Sequence, residues 1–423
     1  QSSVTQRWGE LGWQILVNEI FKQVSDDGVD FEGSVSYHRM VSELFLWPAR
    51  YRKVKDKGVP DLYYERLRKM ASFCAAYISP GGVAPLWGDA DDGRPFIFGS
   101  QEPWQHGYLP ALISLAIDGK VHYCPPTNSV GEIIWSLGAE VWEKSIGLTA
   151  REPHSVSFPI SGYYVMADED NKVFIDCGPV GYGGRGGHGH NDCLSFDAWL
   201  DGVSVVSDSG TYVYTEDFNT RNFFRSTAVH NTPQVNGEEI NRFAGTHELF
   251  NLRADAVPEV RAWHSSVARD ILIGSHSGYE RLTPMLRPVR TIVLDKTVSG
   301  LVIEDTFENI GKGISPSGEE CAVSIPYHFA DGVMIEPRDT GRWRLVIDDK
   351  AFIFFVDLLD DWGAERTSGW ISKAYGHRIE RPVLCFKRLG LTKNLRVGIC
   401  PEKSAPRDMN GWIDQCLSSA SCV

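Results

Sequence analysis

Two imidazoles one residue apart on a glycine-rich loop are the first place in this chain where residue types and spacing could do chemistry. The run Gly183-Gly184-Arg185-Gly186-Gly187-His188-Gly189-His190-Asn191-Asp192 leads into an alternating apolar segment, Cys193 to Leu200. Downstream stand Asp208, in Ser207-Asp208-Ser209-Gly210, and His230, in Ala228-Val229-His230-Asn231-Thr232. Histidine, aspartate and histidine with an open or water-filled fourth position make a zinc set, because Zn²⁺ accepts imidazole nitrogen and carboxylate oxygen. In an extended His-x-His both rings point to one face, so different roles for them would need a kink, which glycine permits. The competing reading is a surface loop with two solvated histidines and a buried aspartate; four polar features within this short stretch favour function.

Two further clusters stand in the amino-terminal part. The loop Asp26 to Ser36, crowded with acid and glycine, runs into Tyr37-His38-Arg39. A histidine there could act as general base or hydrogen-bond donor, or simply start a helix. The second is Trp87-Gly88-Asp89-Ala90-Asp91-Asp92-Gly93-Arg94, followed by Trp104-Gln105-His106-Gly107-Tyr108. Its acidic loop lacks the register of a calcium-binding hand and reads as a turn held by side-chain-to-backbone bonds. Tyr108 could donate a phenolic proton or just pack.

These residues need elements to position them. Helical spacing of apolar residues predicts helices over Trp8 to Val24, Tyr37 to Leu46, Tyr63 to Ile78, Tyr108 to Ile117 and Val130 to Leu137, joined by long loops. From about Phe158 the period changes to two. Tyr163 to Ala167 and Val173 to Asp176 flank a polar turn and predict a hairpin; Ser195 to Leu200, Val203 to Ser207, Thr291 to Asp295, Gly300 to Asp305, Trp343 to Ile347 and Phe352 to Val356 predict further strands. The fold class expected is multidomain α+β: helices over 1–150, then an antiparallel β-sandwich over 151–423, its polar end Ser418 to Val423 frayed.

Composition is that of a soluble globular chain: 423 residues, 42% hydrophobic and 23% charged. The net charge of −13 argues against a nucleic-acid partner, while Arg185, Arg221 and Arg225 could line a local groove for an acidic ligand. No apolar run is long enough to span a bilayer. Gln1 to Glu10 lacks the pattern of a signal peptide, which leaves a cytoplasmic protein or the mature form of an exported one. Nine scattered cysteines, without a Cys-x-x-Cys pair, read as buried thiols.

Gly-His-Gly-His-Asn-Asp-Cys-Leu-Ser-Phe at 187–196, Asp-Ser-Gly at 208–210 and Phe-Arg-Ser-Thr-Ala-Val-His-Asn-Thr at 224–232 resemble the heparinase II/III-like polysaccharide lyases. The stretches at 27–39 and 88–94 resemble the helical part of the same family. The resemblance implies an (α/α) toroid followed by an antiparallel β-sandwich, with an acidic polysaccharide or oligosaccharide bound between them. It also implies β-elimination at a uronic acid and a mainly structural zinc held by His190, Asp208 and His230. His188 would then face the cleft as the β-domain catalytic histidine, and His38 would neutralise the uronate carboxylate or act as base. The catalytic tyrosine would be Tyr108, with Tyr37 in reserve; Arg39, Arg221 and Arg225 would contact carboxylate or sulfate, with Arg185 beside them. The family's setting implies a periplasmic or secreted protein, and a homodimer is one oligomeric state open to it. Only about 150 residues precede the β-part, so the toroid is expected to be incomplete. The rival expectations are a non-catalytic glycan-binding or biosynthesis-associated relative that keeps the zinc, and a hydrolase whose zinc activates water. Heparan-like, alginate-like and bacterial exopolysaccharide substrates are all compatible with the motifs.

Overall fold

The computed structural model describes all residues except 1–2, 80, 100, 145–153, 182–183, 312–320, 358–361, 391–392 and 423. The helix-to-strand switch expected at 150/151 lies outside the described residues. Before it come α1 (Ser3–Gln23), α2 (Val35–Val54), α3 (Asp61–Tyr77), α4 (Leu109–Asp118), α5 (Val130–Leu137) and α6 (Ala139–Glu143). Ser34 caps α2 by accepting a hydrogen bond from the Tyr37 amide, and Gly119, at φ +67°, ends α4 in the left-handed region. Leu11 and Ile15 share a helical face with Val4 and Trp8, but that face of α1 is exposed; Trp13 and Ile20 carry its buried side.

After the switch the strands form three antiparallel sheets. The first takes β1 (Val156–Phe158), β2 (Tyr163–Ala167), β3 (Lys172–Asp176), β4 (Phe196–Leu200) and β5 (Val203–Val206) in sequence order. The helix α7 (Phe218–Phe224) and the short β6 (Gln234–Val235) follow. Next come β7 (Pro258–Ser265), β8 (Arg269–His276), β9 (Leu286–Asp295), β10 (Gly300–Asn309), β11 (Ala322–His328), β12 (Met334–Pro337), β13 (Arg342–Ile347) and β14 (Lys350–Asp357). The last strands are β15 (Gly363–Ala374), β16 (His377–Leu389) and β17 (Leu395–Pro401), ahead of α8 (Met409–Ala420). An eight-stranded sheet runs β12-β13-β14-β17-β10-β9-β8-β7, and a four-stranded one β15-β16-β11-β6.

Every residue of β2, β3 and β4 is buried, and the period of two in β2 and β3 explains how. Tyr163, Val165, Ala167 and Phe174 point into the helical core with Phe73, Tyr77 and Trp87. Tyr164, Met166, Val173 and Ile175 point the other way, into the core shared with the other sheets. The first sheet is therefore the common floor of both halves, which holds the helical loops and the β-loops in one frame. The chain end, expected to fray from Ser418, instead continues α8 to Ala420. This helix lays Trp412, Ile413 and Cys416 on Ile271, Val293 and Val302 of the large sheet. Among the described residues no helix is long and apolar enough to cross a membrane.

Candidate active site

The site is assembled where the loop before α2, the 87–94 loop and the glycine-rich loop meet. Ser34 does two jobs there: its hydroxyl caps α2 and also donates to the Asp89 carbonyl at 2.6 Å. The Asp89 amide donates to the His188 carbonyl at 2.9 Å. Between these bonds Gly88 adopts φ +67°, and a Cβ there would lie 2.4 Å from the Gly33 carbonyl oxygen. Only glycine lets the three loops approach so closely.

Asp89 is the hub. It is fully buried, and its carboxylate meets Arg221 Nη2 at 2.6 Å, His190 Nε2 at 2.9 Å, His188 Nδ1 at 3.1 Å and the Thr211 hydroxyl at 3.2 Å. Burial pushes its pKa up, but Arg221 and the two histidines outweigh that and hold the carboxyl well below the usual carboxylate range. The charged carboxylate accepts the Nδ1 proton of His188 and leaves Nε2 of that ring as the basic atom. His188 and His190 thus address the two oxygens of one carboxylate.

His188 is 22% exposed and faces the open side. Its ring stacks on Tyr37, centroids 4.0 Å apart, and packs edge-on against Phe250. Glu32 Oε2 lies 3.7 Å from His188 Nε2; burial pushes the Glu32 carboxyl up, opposed by His188. The Tyr37 hydroxyl donates to Asp91 at 3.2 Å and lies 3.3 Å from the Tyr214 hydroxyl. Burial pushes both phenols upward, so each carries its proton at neutral pH.

Behind Asp89 lies a second, sealed cluster. His190, Asp192 and His230 offer ligand atoms within 4.8 Å of one another, and all three are buried. His190 Nδ1 and His230 Nε2 are buried without a hydrogen-bond partner. Orphaned nitrogens beside a carboxylate fit a zinc ion. Both histidines of the expected set are here. Asp208 has a different station: one oxygen accepts from His230 Nδ1 at 2.6 Å and the other from the Gly210 amide at 2.9 Å. The carboxylate grouped with the imidazoles is Asp192. Arg381, fully buried, donates to the Ser207 and Asp208 carbonyls and to the Ser209 hydroxyl, and so fixes the Asp208 turn.

Several residues expected at the cleft are elsewhere. His38 is fully buried in the helical core, where Nδ1 accepts from the Asp30 amide and Nε2 meets the Met70 carbonyl; burial pulls its pKa down to about 4. Adjacent helical residues diverge, and here Tyr37 takes the cleft side and His38 the core side. Tyr108 is also internal, donating to Glu43 beneath Arg94. Arg39 ties the 93–103 loop by donating to the Gly93 and Pro103 carbonyls. Arg225 clamps Asn222, Glu248 and Asn251. Arg221 belongs to the site but is fully buried against Asp89, Tyr214 and Phe250. Of the four arginines only Arg185 is exposed. Sequence reasoning missed Glu32, Tyr214, Asp192 and the part played by Asp89. The one signal for Asp89 was its place after a glycine in a loop already singled out as acidic.

Comparison with known proteins agrees with this architecture. The family described as Heparinase II/III-like, C-terminal matches residues 150–396, and Heparinase II/III N-terminus matches residues 3–101. A heparin-sulfate lyase of Bacteroides stercoris is 23% identical over 392 residues, covering 90% of this chain and 50% of that protein. A heparin-sulfate lyase of Pedobacter heparinus is 24% identical over 243 residues, covering 55% of this chain and 33% of the relative. The chain thus spans half or less of the length of these relatives. Among solved structures, a mutant of heparan sulfate lyase HepC from Pedobacter heparinus superposes with TM-score 0.70 at 17% identity, over 94% of this chain and 57% of that one. A heparinase III gene product does so with TM-score 0.70 at 20% identity, over 95% and 57%. With a helical layer, an antiparallel β-sandwich and one family matched along more than half its length, this chain belongs to the heparinase II/III-like family.

Proposed function

We propose that this protein is a polysaccharide lyase that cleaves a uronate-containing glycan by β-elimination. The observation that carries this reading is the Asp89–His188 pair stacked on Tyr37, at the open edge between the helical loops and the β-loops. β-Elimination removes the proton at C5 of the uronate, tolerates the developing charge on its carboxylate and protonates the leaving oxygen at C4. His188, its Nδ1 proton held by Asp89, presents Nε2 to take the C5 proton. The Tyr37 hydroxyl protonates the leaving oxygen, and the cycle closes when the proton taken from C5 passes from His188 to the Tyr37 phenolate stacked on it, by way of solvent at the open edge. The Tyr214 hydroxyl is placed to hydrogen-bond the uronate carboxylate, the role expected of the buried His38.

His190, Asp192 and His230 would hold the zinc ion, with Asp208 fixing the His230 ring. Bound there, the ion would supply structural cross-linking of the two loops. The burial of all three groups supports a metal separate from the reacting centre over one that activates water for hydrolysis. Named lyases among the relatives support the same reaction class.

The test is a panel of uronate polysaccharides incubated with purified protein, following ultraviolet absorbance of the new C4–C5 double bond. Signal on one substrate that disappears in His188→Ala supports the reading. Silence of the folded, zinc-loaded protein on every member of the panel refutes it.

A further inference from the structure

We propose that this chain carries a second ligand site, away from the reacting centre, in which Lys172 binds the carboxylate of a small sugar acid. Lys172 opens β3 on the same face as Phe174, which is turned to the helical core. It is 6% exposed and lines a cavity of about 400 Å³ between the end of α3, the loop after α4, β1 and the β2–β3 turn. Its ammonium has three protons to donate, and one goes to the Ile78 carbonyl at the end of α3. Among the described residues no carboxylate pairs with it. Asp168, an acid in the same wall, spends its oxygens on the Asp170 amide and on Asn171. Burial lowers the Lys172 pKa to about 8, which leaves the group mostly charged at neutral pH. The Cys74 thiol beside it is pushed up to about 12 by burial and stays neutral.

A buried charge is costly unless it is paired, and the cavity has room for the partner. The two remaining ammonium protons suit one carboxylate. A phosphate, with close to two charges at neutral pH, would bring a charge that no second lysine or arginine among the described wall residues balances. Beside the ammonium the wall offers what a sugar ring needs. The Ser72 and Tyr123 hydroxyls, 2.9 Å apart, and the Ser79 hydroxyl can exchange hydrogen bonds with ring hydroxyls, while Ala75, Ala76 and Val156 receive the apolar ring face. The volume is that of a small-molecule pocket. None of the described wall residues belongs to the Asp89–His188 centre, so binding here is independent of the β-elimination reading.

The experiment is titration calorimetry of the folded protein at neutral pH with glucuronate, with glucose as its uncharged counterpart and with inorganic phosphate. Lys172→Met, which keeps the stem and removes the charge, and His188→Ala, which alters the reacting centre, are titrated alongside, with thermal melting to confirm that each folds. Glucuronate should bind wild type and His188→Ala alike and Lys172→Met more weakly by about tenfold or more, the loss expected when a hydrogen bond to a charged group is removed. Glucose and phosphate should bind wild type more weakly than glucuronate. A second readout places the ligand: acetic anhydride labelling of wild type, read by peptide mass spectrometry, should be slowed several-fold at Lys172 by saturating glucuronate and left unchanged at the exposed Lys22. Absence of glucuronate binding, equal affinity in Lys172→Met, tighter binding of glucose or phosphate, or unprotected Lys172 overturns the proposal. If Lys172→Met does not fold, the labelling of wild type decides by itself.

Discussion

Replacing Asp89 by Asn removes one charge from the hub and almost no volume. In the native site two carboxylate oxygens serve Arg221, His190, His188 and Thr211. An amide keeps one acceptor and turns an NH₂ group toward the remaining donors, so the buried Arg221 guanidinium, whose Nε and Nη1 already lack partners, loses its counter-charge. Removing one partner from a buried ion pair costs about 3–5 kcal/mol. At roughly 2 °C per kcal/mol for a chain this large, the melting temperature should fall by about 6–10 °C. Catalysis should suffer separately, because His188 loses the group that fixes its tautomer; kcat should fall by about 10²–10⁴, as when an orienting carboxylate is removed from a catalytic histidine. Calorimetry and steady-state rates on the best substrate read the two effects independently. A variant melting within about 2 °C of wild type, the range of a neutral surface change, and retaining its kcat would refute the assignment of Asp89 as hub.

His38 should control stability against pH while leaving the pH profile of activity unmoved. With its folded pKa pulled down to about 4, the unfolded chain takes up a proton near pH 6.5 and the folded one does not. Stability is therefore full above pH 6.5 and falls by up to about 1.4 kcal/mol per pH unit as pH drops toward 4; His38→Gln should flatten that slope in urea titrations. Metal analysis of purified protein should find zinc, lost in His230→Ala and in Asp192→Ala, whereas Asp208→Asn should retain a site weakened by about 10–100-fold. Full zinc occupancy in Asp192→Ala would return the ligand role to Asp208. Asp305 pairs through both oxygens with the fully buried Arg290, which also donates to the Leu194 and Asn231 carbonyls beside the site. Asp305→Ala should cost about 3–5 kcal/mol in denaturant unfolding, and a loss under 1 kcal/mol would contradict the pairing.

Local pattern made the elements legible. The helical period placed α3, α4 and α5 and the start of α2, which runs on to Val54 past the expected Leu46, and the period of two placed β2, β3, β4, β5, β13 and β14 close to their observed ends. It did not show that β2 and β3 are buried on both faces, because strict alternation is lost where each face meets a different apolar layer. The long hairpin of β15 and β16 escaped notice for the opposite reason: Glu365, Arg366, Arg378 and Glu380 make it polar and exposed over much of its length. In the site, motif spacing found His188, His190 and His230, which lie close in sequence on β-loops. It could not choose between Tyr37 and His38, one residue and about a hundred degrees of helix apart. Tyr214 and Glu32 come together with His188 only through tertiary folding, 26 and 156 residues away in the sequence; Glu32 stood in a loop noted for its acid without being singled out, and no local pattern marks Tyr214. Arg39 and Arg225 lie away from the open side because an Arg fork suits internal carbonyls as well as an anionic ligand.

The most direct test of the central claim is the mass balance of the products when the best substrate is cleaved in oxygen-labelled water. The account predicts fragments whose masses sum to that of the parent chain, an unsaturated sugar at each new non-reducing end and no label incorporated. One labelled oxygen gained per cut, with no unsaturated end, would mean hydrolysis and would contradict the roles given to His188 and Tyr37.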